Sequence, residues 1–253
     1  MVQVYFIGAG PGDIDLLTIK AKRIIEQADV IVYADSLISS EICLISKHNA
    51  QIYKSSALTL EETTKIIATS VKQGKIVARL QSGDPSIYGA IGEQMSALDE
   101  IKIPYEIIPG VSSLFAAAAA LKTELTVPGL SQTVIITRKE GKTGVPAAEN
   151  LKSLAKHEAT LALFLSTSLA EEAVSTLIEG GYTPDTPAAL VYKASWKDEI
   201  VIQTSLQELP LQIKKSGIKK QSLILVGKFL TKKSKKIRSR LYDSNFNHEY
   251  RKK

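Results

Sequence analysis

The chain contains few of the residues that build metal and redox sites. It has one cysteine, Cys43, among 253 residues, so it can form no internal disulfide. Its three histidines, His48, His157 and His248, stand far apart and show no metal-ligand spacing. No apolar run approaches the roughly 20 residues of a membrane-spanning helix. We therefore expect a soluble, cytoplasmic protein with no metal centre and no membrane contact.

Positive charge is concentrated at one end of the chain. The formal net charge is +6, but residues 231–253 hold nine of the 32 Lys and Arg residues and two of the 26 acidic ones. The rest of the chain is close to neutral. We expect residues 231–253 to be a basic, flexible tail. RNA or a membrane surface is the alternative partner for this tail, whereas the fold itself shows no nucleic-acid signature.

Strand-like and helix-like segments alternate along the chain, which is typical of an α/β fold with a largely parallel sheet. The predicted strands are Val2–Ile7, Val30–Tyr33, Lys75–Leu80, Pro104–Ile108, Thr133–Thr137, Thr160–Leu165, Ala188–Tyr192, Ile200–Thr204 and Ser222–Val226. The predicted helices include Glu61–Val71, Ser113–Leu121, Leu169–Ile178 and Leu206–Lys214. A connection rich in Pro and Gly follows residue 122. We therefore predict α/β domains at 1–122 and 123–230, followed by the tail.

Three glycine turns each follow a predicted strand of the first domain. They are Gly8–Gly12, Gln81–Gly89 and Ile108–Ser113. Parallel strands bring their carboxyl ends to one edge of a sheet, which is where open α/β sheets bind ligands. The three turns therefore predict one ligand site.

The first turn does not suit a nucleotide phosphate. Gly8 and Gly10 fit the dinucleotide pattern G-x-G-x-x-G, but Asp13 occupies the third glycine position, and the turn has no P-loop lysine. No G-x-S-x-G nucleophile motif occurs. The residues alone predict an α/β protein that binds a small ligand without phosphate. A nicotinamide-dependent oxidoreductase and a non-catalytic carrier remain alternatives.

Several longer segments carry a family resemblance. GAGPGD at 8–13, SGDPSIYGA at 82–90 and IPGVSSLFAAAAA at 108–120 resemble the tetrapyrrole methylases. ELTVPGLSQTVIITR at 124–138 and VYKASWKDE at 191–199 are similar to the branch that methylates C11 of precorrin-4 or cobalt-precorrin-4 in corrin synthesis. The resemblance covers residues 2–230. An RNA or diphthine methylase is the alternative within the superfamily.

The resemblance implies a fold, a co-substrate and a set of site residues. It implies two mainly parallel or mixed sheets with a ligand cleft between them, a homodimer, S-adenosylmethionine as methyl donor and a tetrapyrrole as acceptor. The implied cofactor contacts are Pro11, Ser82, Gly83, Asp84, Ile87, Ser112, Ser113, Leu165 and Ala194. Asp35 and Lys54 are the implied acid/base residues.

A corrin precursor carries many carboxylates, so we also expect cationic neighbours for it. The candidates near predicted loop ends are Arg79, Arg138, Lys139, Lys193 and Lys197. The residues do not distinguish firmly between a cobalt-containing and a metal-free substrate, although the ADS and GDPSIYG segments favour the cobalt-containing one.

Overall fold

The computed structural model describes residues 2–231, 239, 246, 247, 249 and 250. The predicted tail at 231–253 therefore falls almost wholly outside the described residues. The chain forms two compact units, Met1–Ala116 with Lys193–Asp198, and Ala117–Tyr192 with Glu199–Lys253. This division lies six residues before the predicted boundary, and nothing in the sequence indicated that 193–198 belongs with the first unit. Within the described residues, no helix combines the length and the apolar character needed to span a bilayer.

The first unit is built on a parallel sheet. Its strands are β1 (Val4–Gly8), β2 (Val30–Tyr33), β3 (Gln51–Lys54), β4 (Val77–Gln81) and β5 (Tyr105–Ile108). They lie in the order β3-β2-β4-β1-β5, and every neighbouring pair is parallel. The helices are α1 (Ile19–Gln27), α2 (Leu60–Lys72), α3 (Ile91–Glu100) and α4 (Ser113–Ala120), the last of which continues into the second unit.

Helices cover both faces of this sheet. Ala21 and Ile25 of α1 pack on one face, whereas Ile67 of α2 and Leu98 of α3 pack on the other. A strand covered on both sides needs apolar residues at every position. Val30–Tyr33 meets that requirement, since all four of its residues are buried.

The second unit contains a mixed sheet. Its strands are β6 (Val134–Arg138), β7 (Thr160–Phe164), β8 (Pro187–Tyr192), β9 (Ile200–Ser205) and β10 (Ser222–Val226). They lie in the order β6-β7-β10-β8-β9, with β6 and β7 parallel and the other pairs antiparallel. The helices α5 (Leu151–Ala155), α6 (Ala170–Gly180) and α7 (Leu209–Ser216) share one hydrophobic core with this sheet.

The α/β fold class with one parallel and one mixed sheet is confirmed. Three elements were not predicted, β3, α3 and the five-residue α5. β3 is an edge strand whose residues Gln51, Ile52 and Lys54 are exposed, so it lacks an apolar run. α3 begins after Ala90, which has φ +48° and makes no side-chain capping hydrogen bond. Helix α3 therefore lacks the usual start signal.

Candidate active site at the carboxyl edge of the parallel sheet

Three glycine loops meet at one edge of the parallel sheet. We call them the first loop (residues 8–13), the second loop (82–89) and the third loop (109–113), and they follow the neighbouring strands β1, β4 and β5. Gly10 N–H donates to the Gly83 carbonyl at 3.2 Å, and Gly83 N–H donates to the Gly10 carbonyl at 2.8 Å. The predicted convergence of the three turns is confirmed, and backbone hydrogen bonds fix it.

Only glycine allows the loops to approach this closely. A Cβ at Gly8 would lie 2.5 Å from the Gly110 Cα and 2.7 Å from the Gly83 carbonyl oxygen. Gly83 itself has φ +64°, a conformation that a side chain disfavours. The three loops therefore present a surface of main-chain atoms to any ligand at this edge.

The carboxylate of Asp84 ties the second loop to the third. One oxygen accepts from the Ser86 N–H at 2.9 Å and from the Ser86 hydroxyl at 2.5 Å. The other accepts from the Gly110 N–H at 2.9 Å. Burial raises the pKa of Asp84, but the hydrogen bonds from Ser86 and Gly110 outweigh it and leave that pKa below its usual value. Asp84 is thus ionised at neutral pH, and three of its roughly four acceptor positions serve the loops themselves.

Eight of the nine residues expected to contact a cofactor belong to the first unit. They are Pro11, Ser82, Gly83, Asp84, Ile87, Ser112, Ser113 and Ala194. Pro11 and Ala194 are buried. The hydroxyl oxygen of Ser112 accepts from the Leu114 N–H at 3.3 Å, so it caps the start of α4.

The ninth residue, Leu165, belongs to the second unit and directly follows β7. The residue is 63% exposed. Its backbone is left-handed, with φ +53°. The next residue holds this kink, because the Ser166 hydroxyl donates to the Phe164 carbonyl at 2.6 Å and accepts from the Lys139 N–H at 2.8 Å. A bulky residue kept in a strained conformation is a feature that clusters at ligand sites.

Asp35 and Lys54 lie at the same edge of the parallel sheet, after β2 and at the end of β3. The Asp35 carboxylate accepts from the Ser56 N–H at 3.0 Å and from the Ser56 hydroxyl at 2.9 Å. The hydrogen bond from the Ser56 N–H is the largest effect and lowers the pKa of Asp35. Burial opposes it, and the Ser56 hydroxyl and, more weakly, the Lys54 charge lower that pKa further. Asp35 is therefore a carboxylate, not an acid, at neutral pH.

Arg79 does not lie where a substrate carboxylate could reach it. Its side chain is buried, with 6% of the residue exposed. Its Nε donates to Gln94 Oε1 at 2.9 Å, and another guanidinium nitrogen donates to the Leu80 carbonyl at 3.0 Å. Burial lowers the pKa of Arg79 to about 10, so it stays cationic at neutral pH. Arg79 is therefore disfavoured among the five cationic candidates, because its guanidinium is hydrogen-bonded to Gln94 of α3 and to the backbone of β4.

The other cationic candidates are Arg138, Lys139, Lys193 and Lys197, none of which is fully buried. Lys193 pairs with Asp198 at 2.5 Å, and Lys197 pairs with Glu41 at 3.3 Å. These pairs are partly or largely exposed, so they leave the lysines able to exchange partners with an anionic ligand.

Sequence reasoning did not single out two residues that contact the first loop. The Trp196 indole N–H donates to the Pro11 carbonyl at 2.8 Å, and the Ser195 hydroxyl accepts from the Asp13 N–H at 3.0 Å. Both residues stand in the KASW segment at 193–196, which carried part of the family resemblance. The available signal was that Trp196 is the single tryptophan of the chain.

The sequence pattern of the tetrapyrrole (corrin/porphyrin) methylases matches residues 3–210. The chain belongs to this family. The resemblance seen in the glycine loops is thereby confirmed over most of the sequence.

Members of the methylase family with assigned activities match nearly the whole chain. The cobalt-precorrin-4 C(11)-methyltransferase of Methanocaldococcus jannaschii is 54% identical over 250 residues, which cover 99% of this chain and 96% of that protein. The precorrin-4 C(11)-methyltransferase of Pseudomonas aeruginosa is 43% identical over 251 residues, with 99% of each chain covered.

Solved structures of methylases agree with the fold. An X-ray structure of a cobalt precorrin-4 methyltransferase, described as a cobalamin biosynthetic enzyme, has a TM-score of 0.88 and 47% identity. It covers 90% of this chain and 95% of its own. A uroporphyrin-III C-methyltransferase from Thermus thermophilus, solved with S-adenosyl homocysteine, has a TM-score of 0.75 and 25% identity. It covers 90% of this chain and 98% of its own.

Proposed function

We propose that this methylase transfers a methyl group from S-adenosylmethionine to C11 of precorrin-4 or cobalt-precorrin-4, giving the precorrin-5-level intermediate of cobalamin biosynthesis. The observation that carries the proposal is the full-length identity of 54% to a protein with this named activity. The meeting of three glycine loops at the ligand-binding edge of a parallel sheet supports it.

The proposed cofactor site is formed by the three glycine loops. S-adenosylmethionine is a sulfonium cation without phosphate, so it needs neither a phosphate-binding lysine nor a third fingerprint glycine. The Gly83 N–H is used by Gly10, so the main chain of Ser82 and the second lone pair of the Gly83 carbonyl are the groups suited to its amino-acid and ribose groups. The ionised Asp84 contributes negative potential close to these groups. Ala194, which belongs to the same unit as the loops, is proposed to supply an apolar contact to the adenosine.

Methyl transfer is a displacement at the methyl carbon. The ring carbon C11 donates an electron pair to the methyl group, the carbon–sulfur bond breaks, and sulfur keeps its bonding pair as S-adenosyl homocysteine. Alignment of donor and acceptor can supply about 7–11 kcal/mol of the barrier reduction. A rigid set of loops is therefore more important to this reaction than a strong base.

Asp35 and Lys54 are the proposed acid/base residues. Asp35 is in the deprotonated form that accepting a proton requires, and its lowered pKa makes it a modest base. Lys54 is exposed, and as a cation it is suited to a carboxylate of the macrocycle. Substitutions Asp35→Asn and Lys54→Met are expected to lower kcat and to raise the tetrapyrrole KM, respectively.

The decisive experiment is turnover with each candidate substrate. The protein is incubated with S-adenosylmethionine carrying a ¹³C-methyl group and with precorrin-4 or its cobalt complex. We expect the product to gain one labelled methyl group, which carbon NMR places at C11. Absence of methylation with both substrates would overturn the proposal. Calorimetric titration with NADH tests the oxidoreductase alternative, and sedimentation analysis tests the proposed homodimer.

A further inference from the structure

The segment Lys193–Asp198 touches three consecutive residues of the first loop. It stands between β8 and β9 in the chain but is part of the first unit. Its indole at Trp196 donates to the Pro11 carbonyl at 2.8 Å, and its Ser195 hydroxyl accepts from the Asp13 N–H at 3.0 Å. These two hydrogen bonds flank Gly12.

Gly12 is the place where the indole meets the backbone. A Cβ at this position would collide with the Cδ1, Nε1 and Cγ atoms of Trp196. The indole therefore lies directly against the main chain of the first loop. Because the Pro11 carbonyl accepts from the indole N–H and Gly12 has no side chain, the contact combines one directed hydrogen bond with close packing.

The indole is itself held in place by its own segment. The backbone N–H of Trp196 donates to the Lys193 carbonyl at 2.9 Å, and the Lys193 ammonium lies 4.9 Å from the centre of the indole ring. Lys193 also pairs with Asp198 at 2.5 Å. Lys193 and Ser195 both have positive φ, +47° and +71°. The two left-handed residues and the Lys193–Asp198 ion pair together restrict the conformation of this segment.

We propose that Trp196 is a positioning residue for S-adenosylmethionine. It acts through the first loop, because its hydrogen bond fixes the orientation of the Pro11–Gly12 peptide in the loop that is proposed to contact the cofactor. This inference rests on the proposed function, since it requires the glycine loops to hold the methyl donor.

The test begins with Trp196→Phe, which keeps an aromatic ring and removes the donor. Loss of a neutral hydrogen bond is expected to weaken binding of S-adenosyl homocysteine roughly three- to tenfold, measured by calorimetry. The KM for S-adenosylmethionine should rise by a similar factor and kcat should fall, because the loops align the methyl group for transfer, whereas the tetrapyrrole KM stays within about twofold.

Tyr182→Phe is the matched control. Tyr182 is a buried aromatic residue of the second unit whose hydroxyl donates to the Ala159 carbonyl at 2.6 Å. Its loss also removes one hydrogen bond from an aromatic side chain to a carbonyl. We expect a lower melting temperature with unchanged cofactor affinity. If Trp196→Phe also lowers only the melting temperature, Trp196 has a structural role and the inference is overturned.

Gly12→Ala provides a second variant that leaves Trp196 in the chain. Its Cβ should displace the indole, so Gly12→Ala and Trp196→Ala are expected to be non-additive: the double variant should bind S-adenosyl homocysteine about as weakly as the weaker single variant. Full additivity would contradict the inference, because it would mean that the two positions affect binding independently.

Trp196 also supplies a spectroscopic signal, since it is the single tryptophan. Titration of the wild-type chain with S-adenosyl homocysteine should change the tryptophan emission, with half-saturation at the Kd found by calorimetry. Binding without any emission change would overturn the positioning role alone. Absence of binding by the wild type would instead overturn the proposed function and this inference with it.

Discussion

Asp84 and Gly110 are joined by a hydrogen bond of 2.9 Å from the Gly110 N–H to the carboxylate, which links the loops that follow β4 and β5. The same carboxylate accepts two hydrogen bonds from Ser86. Asp84 was predicted to contact the cofactor, yet most of its acceptor capacity serves the protein. Its proposed role at the site therefore includes holding the second and third loops in register.

We expect Asp84→Asn to lower both stability and cofactor affinity. An amide presents an NH₂ group to at least one of the donors that the carboxylate now accepts from, so hydrogen bonds to a charged group, worth about 1.5–3 kcal/mol, are lost in part. The melting temperature should fall by roughly 3–8 °C for a chain of this size. The Kd for S-adenosyl homocysteine should rise about tenfold by calorimetry.

Asp99→Asn is the control for this substitution. Asp99 accepts one exposed hydrogen bond from Tyr105 at 3.1 Å and lies outside the glycine loops, so little change in either quantity is expected. An unchanged melting temperature in Asp84→Asn would show that the bonds to Ser86 and Gly110 contribute nothing to the fold. A lower melting temperature with unchanged affinity would show that Asp84 stabilises the loops and does not contribute to cofactor binding.

Arg79 should be essential for stability and not for substrate affinity. Arg79→Met leaves Gln94 Oε1 and a strand carbonyl without their donor, which should lower the free energy of unfolding by about 1–3 kcal/mol. Chemical denaturation measures this loss. A double-mutant cycle with Gln94→Met should give a coupling energy of about 0.5–3 kcal/mol, because the two side chains are in direct contact.

A role in substrate binding would give another result. The fraction of Arg79→Met that stays folded should have the wild-type KM for the tetrapyrrole. A tenfold rise in that KM, with stability preserved, would restore Arg79 as a substrate contact.

The lowered pKa of Asp29 predicts that the stability of the fold depends on pH in a specific way. Its carboxylate accepts from Lys47 at 2.6 Å and from the Ile76 N–H at 2.9 Å. Both hydrogen bonds lower the pKa of Asp29, and the one from Lys47 has the larger effect. A carboxyl group with a lowered folded-state pKa stabilises the fold above its unfolded pKa of about 4, and this contribution is lost as pH falls through the folded value.

The pH test compares wild type with Asp29→Asn by urea unfolding. Asp29 is partly exposed, so solvent screening limits the difference to about 1 kcal/mol at pH 7. The difference should persist down to about pH 4 and shrink towards zero below it. A difference that is constant from pH 7 to pH 2 would contradict the assignment.

The basic tail should be dispensable for the reaction. Deletion of residues 232–253 removes the whole of the excess positive charge, and the family pattern already ends at residue 210. We expect cofactor affinity and methyl transfer to stay within a few-fold of the full chain. Deletion from residue 221 onward is the control, because it removes β10 from the middle of the second sheet and should abolish folding of that unit. Loss of activity on the shorter deletion would assign the tail a role in the site.

Local sequence patterns predicted most of the fold. Four consecutive apolar residues predicted Val30–Tyr33 with its observed bounds, and the strand predicted at Ile200–Thr204 is observed as Ile200–Ser205. The glycine turns also predicted the edge at which the candidate site lies. These signals are local, because each depends on residues that are close together in the chain.

The individual contacts at the site could not be predicted in this way. In the sequence, Arg79 stands near the end of a predicted strand and close to a loop, which is a typical position for a ligand-binding residue. Only the fold shows that its guanidinium donates a charge-assisted hydrogen bond to Gln94. Trp196 and Pro11 are 185 positions apart, so no window of sequence pairs them. The partners of a polar group are set by tertiary packing, which hydrophobic periodicity does not encode.

The central position of β10 has a consequence for the folding of this chain while it is synthesised on the ribosome. The parallel sheet has all its strands once Ile108 has been made, whereas the mixed sheet needs Ser222–Val226 between β7 and β8 before it can close. At about 5–20 residues per second, the ribosome takes roughly 6–24 s to cover that interval. For the last roughly 2–7 s of it, after Tyr192 has been made, β7 and β8 are both present without the strand that pairs with one edge of each. Chaperones should therefore associate most strongly with nascent chains that are halted after β8 and before β10.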